Sequence, residues 1–292
     1  MTNRDQGRLY VVATPIGNLA DVSTRAVQTL ARASLIAAED TRHTGALLKH
    51  LGVRTPLLSL HEHNERARTP EFLARLAQGE SIALVSDAGT PAISDPGFEL
   101  VRAAAAAGIE VIAVPGPCAA IAALSIAGLP TDRFCFEGFL PARAAARRSR
   151  LAALAGEPRT LVFYESPHRV QGMLEDASSV LGADRPAALA RELTKLHETL
   201  YRGSLGALLE RAGHELDMAR GEIVLIVAGA PSAPAGLADA GSGGGLLDQV
   251  LGPLLKALPL RQAAELAAEI AQVRGNEAYK RALELKEAYG AR

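Results

Sequence analysis

Short apolar runs alternate with helical patterns along the first 130 residues of the chain. A helix capped by Ser23 is predicted after the first run. Another begins near Asp95 and Pro96 and ends at Gly108, and a third is predicted at 118–127. The apolar runs predict strands at 9–13, 35–38, 82–85 and 111–114. Strands that alternate with helices predict a largely parallel α/β sheet.

A second pattern begins after Gly128-Leu129-Pro130, where the chain is punctuated by turn-forming residues. Helical runs again separate the apolar runs. Strands are predicted at 134–137, 161–164, 187–191, 198–202 and 223–227. The sequence therefore predicts two α/β domains, at 8–128 and 129–230.

The remainder of the chain differs in composition from both predicted domains. Residues 231–245 are rich in Pro, Ala, Ser and Gly, which predicts a flexible linker. Apolar residues at helical spacing predict a helical tail at 246–292, with a turn at Gly275-Asn276. Two helices joined in this way form either a helix-turn-helix or a helical hairpin.

Composition is that of an ordinary soluble globular protein, with 292 residues, 22% charged residues and a net charge of -1. Any affinity for nucleic acid must therefore come from a local basic patch. Cys118 and Cys135 lie among apolar residues and are expected to be free thiols. The N-terminal residues do not resemble a secretory signal, and Pro115-Gly116-Pro117 interrupts the uncharged stretch 111–131. We expect a cytoplasmic protein with no membrane segment.

Several familiar catalytic motifs are missing from the sequence. It has no phosphate-binding loop, no GxGxxG turn and no GxSxG nucleophile elbow. The HExxH zinc motif is nearly matched at His61 and His197, but its second histidine is absent in both places. His61 and His63 lack an evident third ligand, so no metal site is predicted.

Three turns at predicted strand ends are rich in small residues, Pro and Asp. They are TPIGN (14–18), SDAGTP (86–91) and PGPC (115–118). Ligands of open α/β sheets bind beyond the carboxyl ends of the strands. Glycine and alanine there allow a ligand close to the backbone. Each turn alone is an ordinary βα connection, but the three together favour a nucleotide-like ligand.

The order of the motifs TPIGN, EDTR, SDAGTPAISDPG, VPGP, FYESPHR and RELTK resembles the ribosomal small-subunit methyltransferase I family, within the tetrapyrrole methylases. The resemblance extends from about residue 9 to 229 and into the helical tail. It implies two α/β domains of the tetrapyrrole-methylase type, a cofactor cleft between them and a small C-terminal helical segment. It also implies S-adenosylmethionine as cofactor, a homodimer, and 2′-O-methylation of a cytidine in the decoding region of 16S rRNA. Cys118 departs from the family, whose members commonly carry Ser or Thr after PGP.

The resemblance also implies which residues form the site. The cofactor-binding residues would be Pro15, Asp87, Ala88, Gly89, Ile93, Cys118, Ala119 and Tyr164. Removing the proton of a ribose hydroxyl requires a general base, either a carboxylate or a lysine with a lowered pKa. The candidates are Asp40, Asp95, Glu165, Glu192 and Lys195, although each could equally be a helix cap or part of a structural ion pair.

Arginine suits phosphate binding, and an arginine run follows Phe139-Leu140-Pro141. Arg147 and Arg148 from this run, with Arg42 and Arg169 near the cleft, are the predicted RNA-binding residues. The partner would be 16S rRNA or the small ribosomal subunit. Two alternatives stay open at this point: a corrin-precursor C-methyltransferase, and a ribosome-binding relative without catalysis. The arginine run, the DAGT turn and the helical tail argue against the corrin precursor.

Overall fold

The computed structural model describes residues 7–231 and 244–290, which divide between two compact units, Met1–Ala230 and Pro231–Arg292. The first unit contains two five-stranded sheets. The chain's first sheet is entirely parallel, in the order β3-β2-β4-β1-β5. Its strands are β1 Arg8–Val12, β2 Leu35–Ala38, β3 Leu57–Ser59, β4 Ile82–Val85 and β5 Glu110–Val114. The predicted parallel sheet is therefore confirmed, with β3 as an additional edge strand.

Helices connect the parallel strands, as crossover connections require. They are α1 Thr24–Arg32, α2 Thr41–His50, α3 Glu65–Ala77 and α4 Phe98–Ala106, and a fifth helix, α5 Ala119–Ala127, leads from β5 toward the second sheet. The predicted cap of α1 is confirmed, because the Ser23 hydroxyl accepts a hydrogen bond from the Ala26 N–H at 3.0 Å. β2 and β4 are buried along their whole length, as expected for strands covered on both faces.

The second sheet is mixed, in the order β6-β7-β10-β8-β9. β6 and β7 are parallel, and the remaining neighbours are antiparallel. Its strands are β6 Phe134–Phe139, β7 Thr160–Glu165, β8 Pro186–Arg191, β9 Thr199–Ser204 and β10 Ile223–Val227. Its helices are α6 Ala144–Ala153, α7 Val170–Leu181 and α8 Leu205–His214. All five predicted strands of this region are present.

Helix α5 connects the two sheets through its packing. Although it follows the last strand of the first sheet, its Ala123 and Leu124 lie in one buried cluster with Ala188, Val224 and Ile226 of the second sheet. Arg202 of β9 adds a polar contact, since its guanidinium donates to the carbonyls of Ile126 and Ala127 at the end of α5.

The second unit is helical in its described part, with α9 Gly244–Ala257, α10 Leu260–Ala271 and α11 Gly275–Gly290. The sequence predicted α10 and α11, but the turn lies at 272–274, where Gln272 is left-handed, and Gly275-Asn276 begin α11. Small residues let the helices pack closely around Leu247 and Leu251. An ion pair of 2.5 Å joins Arg281 of α11 to Asp248 of α9. Most of the predicted linker, at 232–243, lies outside the described residues.

Candidate active site

The three turns identified in the sequence follow β4, β1 and β5, which are neighbours in the sheet. Thr14 and Gly89 exchange two backbone hydrogen bonds, of 2.8 and 3.1 Å, so the first two turns are directly paired. Thr90 donates its hydroxyl to the Pro117 carbonyl at 3.0 Å, which joins the second turn to the third. Gly116 lies so close to the first turn that a Cβ there would be 2.9 Å from the Ala13 side chain. The turns thus form one continuous rim at the carboxyl ends of the strands.

A cavity of about 350 Å³ opens beside this rim and extends to the second sheet. The second sheet contributes Phe139, Tyr164 and Val224 to its wall. Seven of the eight predicted cofactor-binding residues line it: Asp87, Ala88, Gly89, Ile93, Cys118, Ala119 and Tyr164. The eighth, Pro15, lines a neighbouring cavity instead.

Carboxylates are concentrated along one part of the first-sheet wall. Glu39 accepts a hydrogen bond from the Asp87 N–H at 3.3 Å, and Asp87 accepts one from the Asp40 N–H at 3.0 Å. Burial raises the pKa of Glu39 and of Asp95 above their ordinary values, and the charge of Asp87 adds to both shifts. This wall is suited to a positively charged ligand group, which would relieve the repulsion between the acids.

Glu165 reaches the cavity from β7. Its side chain is fully enclosed, and its Oε2 atom has no hydrogen-bond partner. Burial raises the pKa of this carboxyl, although Arg169 lies 3.1 Å from its other oxygen. A buried carboxylate oxygen without a partner is costly in its charged form, which agrees with the direction of this pKa shift.

The segment between Thr90 and α4 covers the cavity in a strained conformation. Ala92 and Ser94 both have positive φ, at 68° and 62°. A buried carboxylate holds the end of this segment: Glu65 Oε1 accepts hydrogen bonds from the N–H groups of Gly97, Glu99 and Leu100 at 3.0, 2.9 and 3.2 Å.

The helix after this segment begins later than the sequence predicted. Phe98 is the first helical residue and Gly97 its cap, so Asp95 and Pro96 precede α4. The alternative interpretation of Asp95 as a helix cap does not apply, because the N–H groups at the start of α4 bond to Glu65, which lies some thirty residues earlier in the chain. Asp95 is instead left at the cavity wall.

Tyr164 links the second sheet to the third turn. Its hydroxyl accepts a hydrogen bond from the Ala120 N–H at 3.1 Å, at the start of α5. Its ring makes edge contacts with Phe136 and Phe139, at 4.9 and 5.6 Å between centroids. Burial and the neighbouring Cys118 raise the pKa of Tyr164 well above its ordinary range, so the hydroxyl stays protonated.

A second cavity, of about 360 Å³, adjoins the first and shares Ile16, Asp87, Ala88 and Glu222 with it. Lys195 lies in its wall, with its Nζ atom 3.0 Å from Glu192 and 3.3 Å from Glu222. Burial lowers the pKa of Lys195, but these two carboxylates outweigh it and raise the pKa overall. Lys195 therefore stays protonated, and it does not have the lowered pKa that a lysine acting as the general base would need.

The other base candidates lie outside the first cavity. Asp40 caps α2 and pairs with Arg42, whose hydrogen bonds hold the pKa of Asp40 well below its usual range. Glu192 accepts hydrogen bonds from Lys195 and from the Glu222 N–H at 2.8 Å. Despite burial, these bonds lower the pKa of Glu192. Both carboxylates therefore have structural partners, as the alternative interpretation of these residues anticipated.

The predicted RNA-binding arginines are not equivalent. Arg42 is highly exposed beside the site, whereas Arg169 points inward to Glu165 and donates to the Leu140 carbonyl at 2.6 Å. Arg147 is buried and pairs with Asp176 at 2.7 Å. The expectation that Arg147 faces a phosphate backbone is incompatible with that burial. Arg148 is half exposed and shares the same carboxylate.

Sequence reasoning missed several residues that line the cavity. Phe139, Leu193 and Val224 are ordinary apolar residues of the second half, and only the tertiary packing of the two sheets brings them to the first-sheet turns. Glu39 was within the EDTR motif, and its position directly after β2 was the signal that could have identified it.

The paired histidines and the uncharged stretch noted in the sequence are both accounted for by the structure. The rings of His61 and His63 lie 6.0 Å apart, and no group of three potential metal ligands occurs within residues 7–231 and 244–290. The uncharged stretch 111–131 divides into β5, the third turn and α5. Across those same ranges, no helix combines the length and apolarity needed to cross a bilayer.

Comparison with known proteins agrees with this architecture. The family model described as Tetrapyrrole (Corrin/Porphyrin) Methylases matches residues 8–209. Among solved structures, the methyltransferase CobJ has a TM-score of 0.58 at 22% identity, covering 78% of this chain and 97% of its own. A Thermus thermophilus uroporphyrin-III C-methyl transferase, complexed with S-adenyl homocysteine, has a TM-score of 0.54 at 18% identity, covering 76% and 97%. These two structures show the fold.

Curated relatives are much more similar in sequence. The ribosomal RNA small subunit methyltransferase I of Escherichia coli O157:H7 is 53% identical over 283 residues, which are 97% of this chain and 96% of the relative. Its Pseudomonas aeruginosa counterpart is 55% identical, over 95% and 97% of the two chains. The family model described as RsmI C-terminal HTH domain matches residues 244–286, which favours the helix-turn-helix interpretation of the tail. The chain therefore belongs to the ribosomal RNA small subunit methyltransferase I family, within the tetrapyrrole methylases.

Proposed function

We propose that this protein methylates the ribose 2′-oxygen of a cytidine in the decoding region of 16S rRNA, with S-adenosylmethionine as methyl donor. The observation that carries the proposal is similarity to ribosomal RNA small subunit methyltransferases I over nearly the whole chain, at 53% and 55% identity, in a protein whose strand-end turns line a cavity. A corrin precursor as substrate has no such support, because a cobalt precorrin-4 methyltransferase and a uroporphyrin-III C-methyl transferase resemble this chain in fold alone, at 16% and 18% identity.

The residues of the first cavity fit this cofactor. Apolar groups such as Ile16, Ile93 and Val224 suit the nucleoside part, and the backbone of Ala88 lies at the rim for its polar edges. The carboxylates Glu39, Asp87 and Asp95 complement its ammonium and sulfonium charges. S-adenosylmethionine supplies a methyl group on a positively charged sulfur, which is already a strong electrophile.

The protein must therefore align the acceptor oxygen and remove its proton. Alignment alone supplies a large rate factor, and a general base adds about 10² to 10⁴. Asp95 and Glu165 are the two base candidates that line the cavity, and burial raises the pKa of both. We assign the base to Asp95, because its side chain is accessible from the cavity whereas that of Glu165 is fully enclosed. Glu165 then has a positioning role, through its pair with Arg169.

The RNA contacts are assigned to the cations that remain exposed. Arg42 lies beside the turns, and Arg148 presents half of its side chain on α6. Exposed arginines bind phosphates through paired N–H groups. The partner is 16S rRNA or the assembled small subunit, and the protein acts in the cytoplasm as a homodimer. Sedimentation of the purified protein tests the dimer.

Methyl transfer from labelled S-adenosylmethionine tests the function. Small subunits lacking the modification, naked 16S rRNA and a corrin precursor are offered side by side. Label is expected in RNA, in a dinucleotide that resists alkaline hydrolysis, because a 2′-O-methyl group removes the attacking hydroxyl. Label in the corrin precursor, or in an alkali-sensitive RNA product, would overturn the proposal.

The Asp95 assignment is tested separately with Asp95→Asn and Glu165→Gln. Loss of the base should lower the rate of transfer by about 10² to 10⁴ when it is measured at saturating cofactor. A rate for Asp95→Asn equal to wild type would refute the assignment without affecting the proposed reaction.

A further inference from the structure

The second cavity has a wall that is distinct from the cofactor-binding turns. One face of α2 forms it, with His43, Ala46, Leu47 and His50 at helical spacing. Leu19, from the short helix after the first turn, adds an exposed apolar side chain. The wall therefore combines the apolar side chains of Leu19, Ala46 and Leu47 with two imidazoles.

Lys195 lines the second cavity, and its Nζ atom lies 3.3 Å from Glu222, which lines both cavities. Its loop is held in place by left-handed residues at Glu192 and Thr194, with φ of 51° and 65°. The Asn18 N–H donates to the Thr194 hydroxyl at 3.1 Å. Gly17 is required beside it, because a Cβ there would lie 2.4 Å from Lys195 Cγ. The ammonium group is thus fixed next to the residues that both cavities share.

From this arrangement we propose that the second cavity binds the acceptor nucleotide. The inference rests on the proposed function, since it assumes that the first cavity holds the methyl donor. Leu19 and Leu47 contact the base, and the imidazole N–H groups of His43 and His50 donate to an adjacent phosphate. Lys195 orients the ribose at the junction, where the two cavities share Ile16, Asp87, Ala88 and Glu222.

The choice of a nucleotide follows from the chemistry of the wall. A phosphate requires N–H donors or cations, and His43, His50 and Lys195 supply them on one side of the cavity. Its volume of about 360 Å³ is within the ordinary range for small-molecule sites. The cavity shares a wall with the cofactor cavity, so an occupant can present an oxygen to the methyl group directly.

A steric variant tests the assignment. Ala46 is exposed on α2 and its side chain faces the cavity, so Ala46→Trp fills the cavity without disturbing the core. Lys49→Trp is the matched control, because Lys49 is exposed on the same helix and does not line the cavity. Ala46→Trp should lower kcat/KM for the RNA acceptor roughly 100-fold, equivalent to about 2.7 kcal/mol. The control should remain within about threefold, and both variants should bind S-adenosylmethionine as wild type does. Equal activity of the two variants would refute the inference.

Phosphate contacts are tested with the double variant His43→Ala/His50→Ala. Loss of two hydrogen bonds to a charged group should raise KM for the RNA by about 10- to 100-fold, with a smaller change in kcat. His214→Ala is the control, because His214 is exposed on α8 and lies outside both cavities. An unchanged KM in the double variant would overturn the phosphate assignment.

A binding measurement separates this inference from the proposed function. Cytidine 5′-monophosphate is titrated into histidine-labelled protein saturated with S-adenosylhomocysteine, and the imidazole NMR signals are followed. The signals of His43 and His50 should shift while that of His214 does not. Such shifts would support a nucleotide site even if the wild-type protein methylated no RNA. If RNA is methylated but the nucleotide shifts neither histidine, the function stands and the second cavity is not its acceptor site.

Discussion

Glu65 should contribute more to stability than any exposed carboxylate near it. It is 7% exposed and accepts three backbone hydrogen bonds at the start of α4. In Glu65→Ala, the N–H groups of Gly97 and Leu100 are left buried without acceptors. A hydrogen bond to a charged group contributes about 1.5 to 3 kcal/mol. Because the three bonds share one oxygen, they are not additive, and we expect a total loss of about 3 to 5 kcal/mol.

That loss corresponds to a fall in Tm of roughly 6 to 20 °C for a unit of this size. Glu65→Gln keeps an oxygen acceptor but loses the negative charge that the helix N-terminus stabilises, so it should cost about 1 to 2 kcal/mol. Thermal and urea unfolding followed by circular dichroism measure both losses. Cofactor affinity should fall as well, because Glu65 fixes the end of the segment that carries Ile93 and Asp95 over the cavity.

Glu62→Ala is the matched control, since Glu62 is an exposed carboxylate three residues away. It should change the free energy of unfolding by less than about 0.5 kcal/mol. If Glu65→Ala unfolds at the same temperature as Glu62→Ala, the reasoning from buried hydrogen bonds is refuted.

Three further predictions concern other parts of the first unit. Gly221→Ala should lower the free energy of unfolding, measured in urea, by about 1 to 3 kcal/mol, because φ is 77° and the added Cβ would lie 2.3 Å from the Glu192 carboxylate. Gly213→Ala is the control and should cost nothing, because the space around Gly213 is open. Equal losses in the two variants would contradict this account. Because burial raises the pKa of Asp95 and a cationic ligand lowers it, cofactor affinity measured by calorimetry should rise as pH increases through that pKa. Asp95→Asn should flatten this dependence, and an unaltered profile would exclude Asp95 as its source. Arg147→Ala should lower the free energy of unfolding by about 3 to 5 kcal/mol, because the buried Asp176 carboxylate then has one cation fewer. Arg148→Ala should cost less than about 1 kcal/mol and should reduce the salt dependence of RNA binding. A larger loss of stability in Arg148→Ala than in Arg147→Ala would refute the structural role assigned to Arg147.

The sequence predicts the strands well because each is a short apolar run between turn-forming residues. β2, β4 and β10 begin and end where the pattern places them, at 35–38, 82–85 and 223–227. β3 escapes prediction because it has three residues at a sheet edge and is only partly buried. The start of α4 is misplaced because its N-terminus is satisfied by Glu65, a contact that no local pattern records.

Some features of the candidate site could likewise be predicted from the sequence, and others could not. Turns that bind through small residues and backbone groups have a local signature, so the residues of the first-sheet wall could be identified. Protonation and exposure depend on distant partners: Arg147 is removed from solvent by Asp176, and Lys195 is kept charged by Glu192 and Glu222. The spacing of residues along the sequence does not predict those contacts.

The packing of α5 determines where this protein can be cut and recombined. A chimera joined after Gly128, where the sequence pattern changes, would give the new second half a foreign α5 against its own sheet. The interface concerned includes Ala123 and Leu124 on the helix and Val224 and Ile226 on the sheet, all fully or nearly fully buried. A junction placed before Cys118 would transfer α5 together with the face of the second sheet on which it packs. For chimeras, the second half should therefore be exchanged from the PGPC turn onward rather than from Gly128.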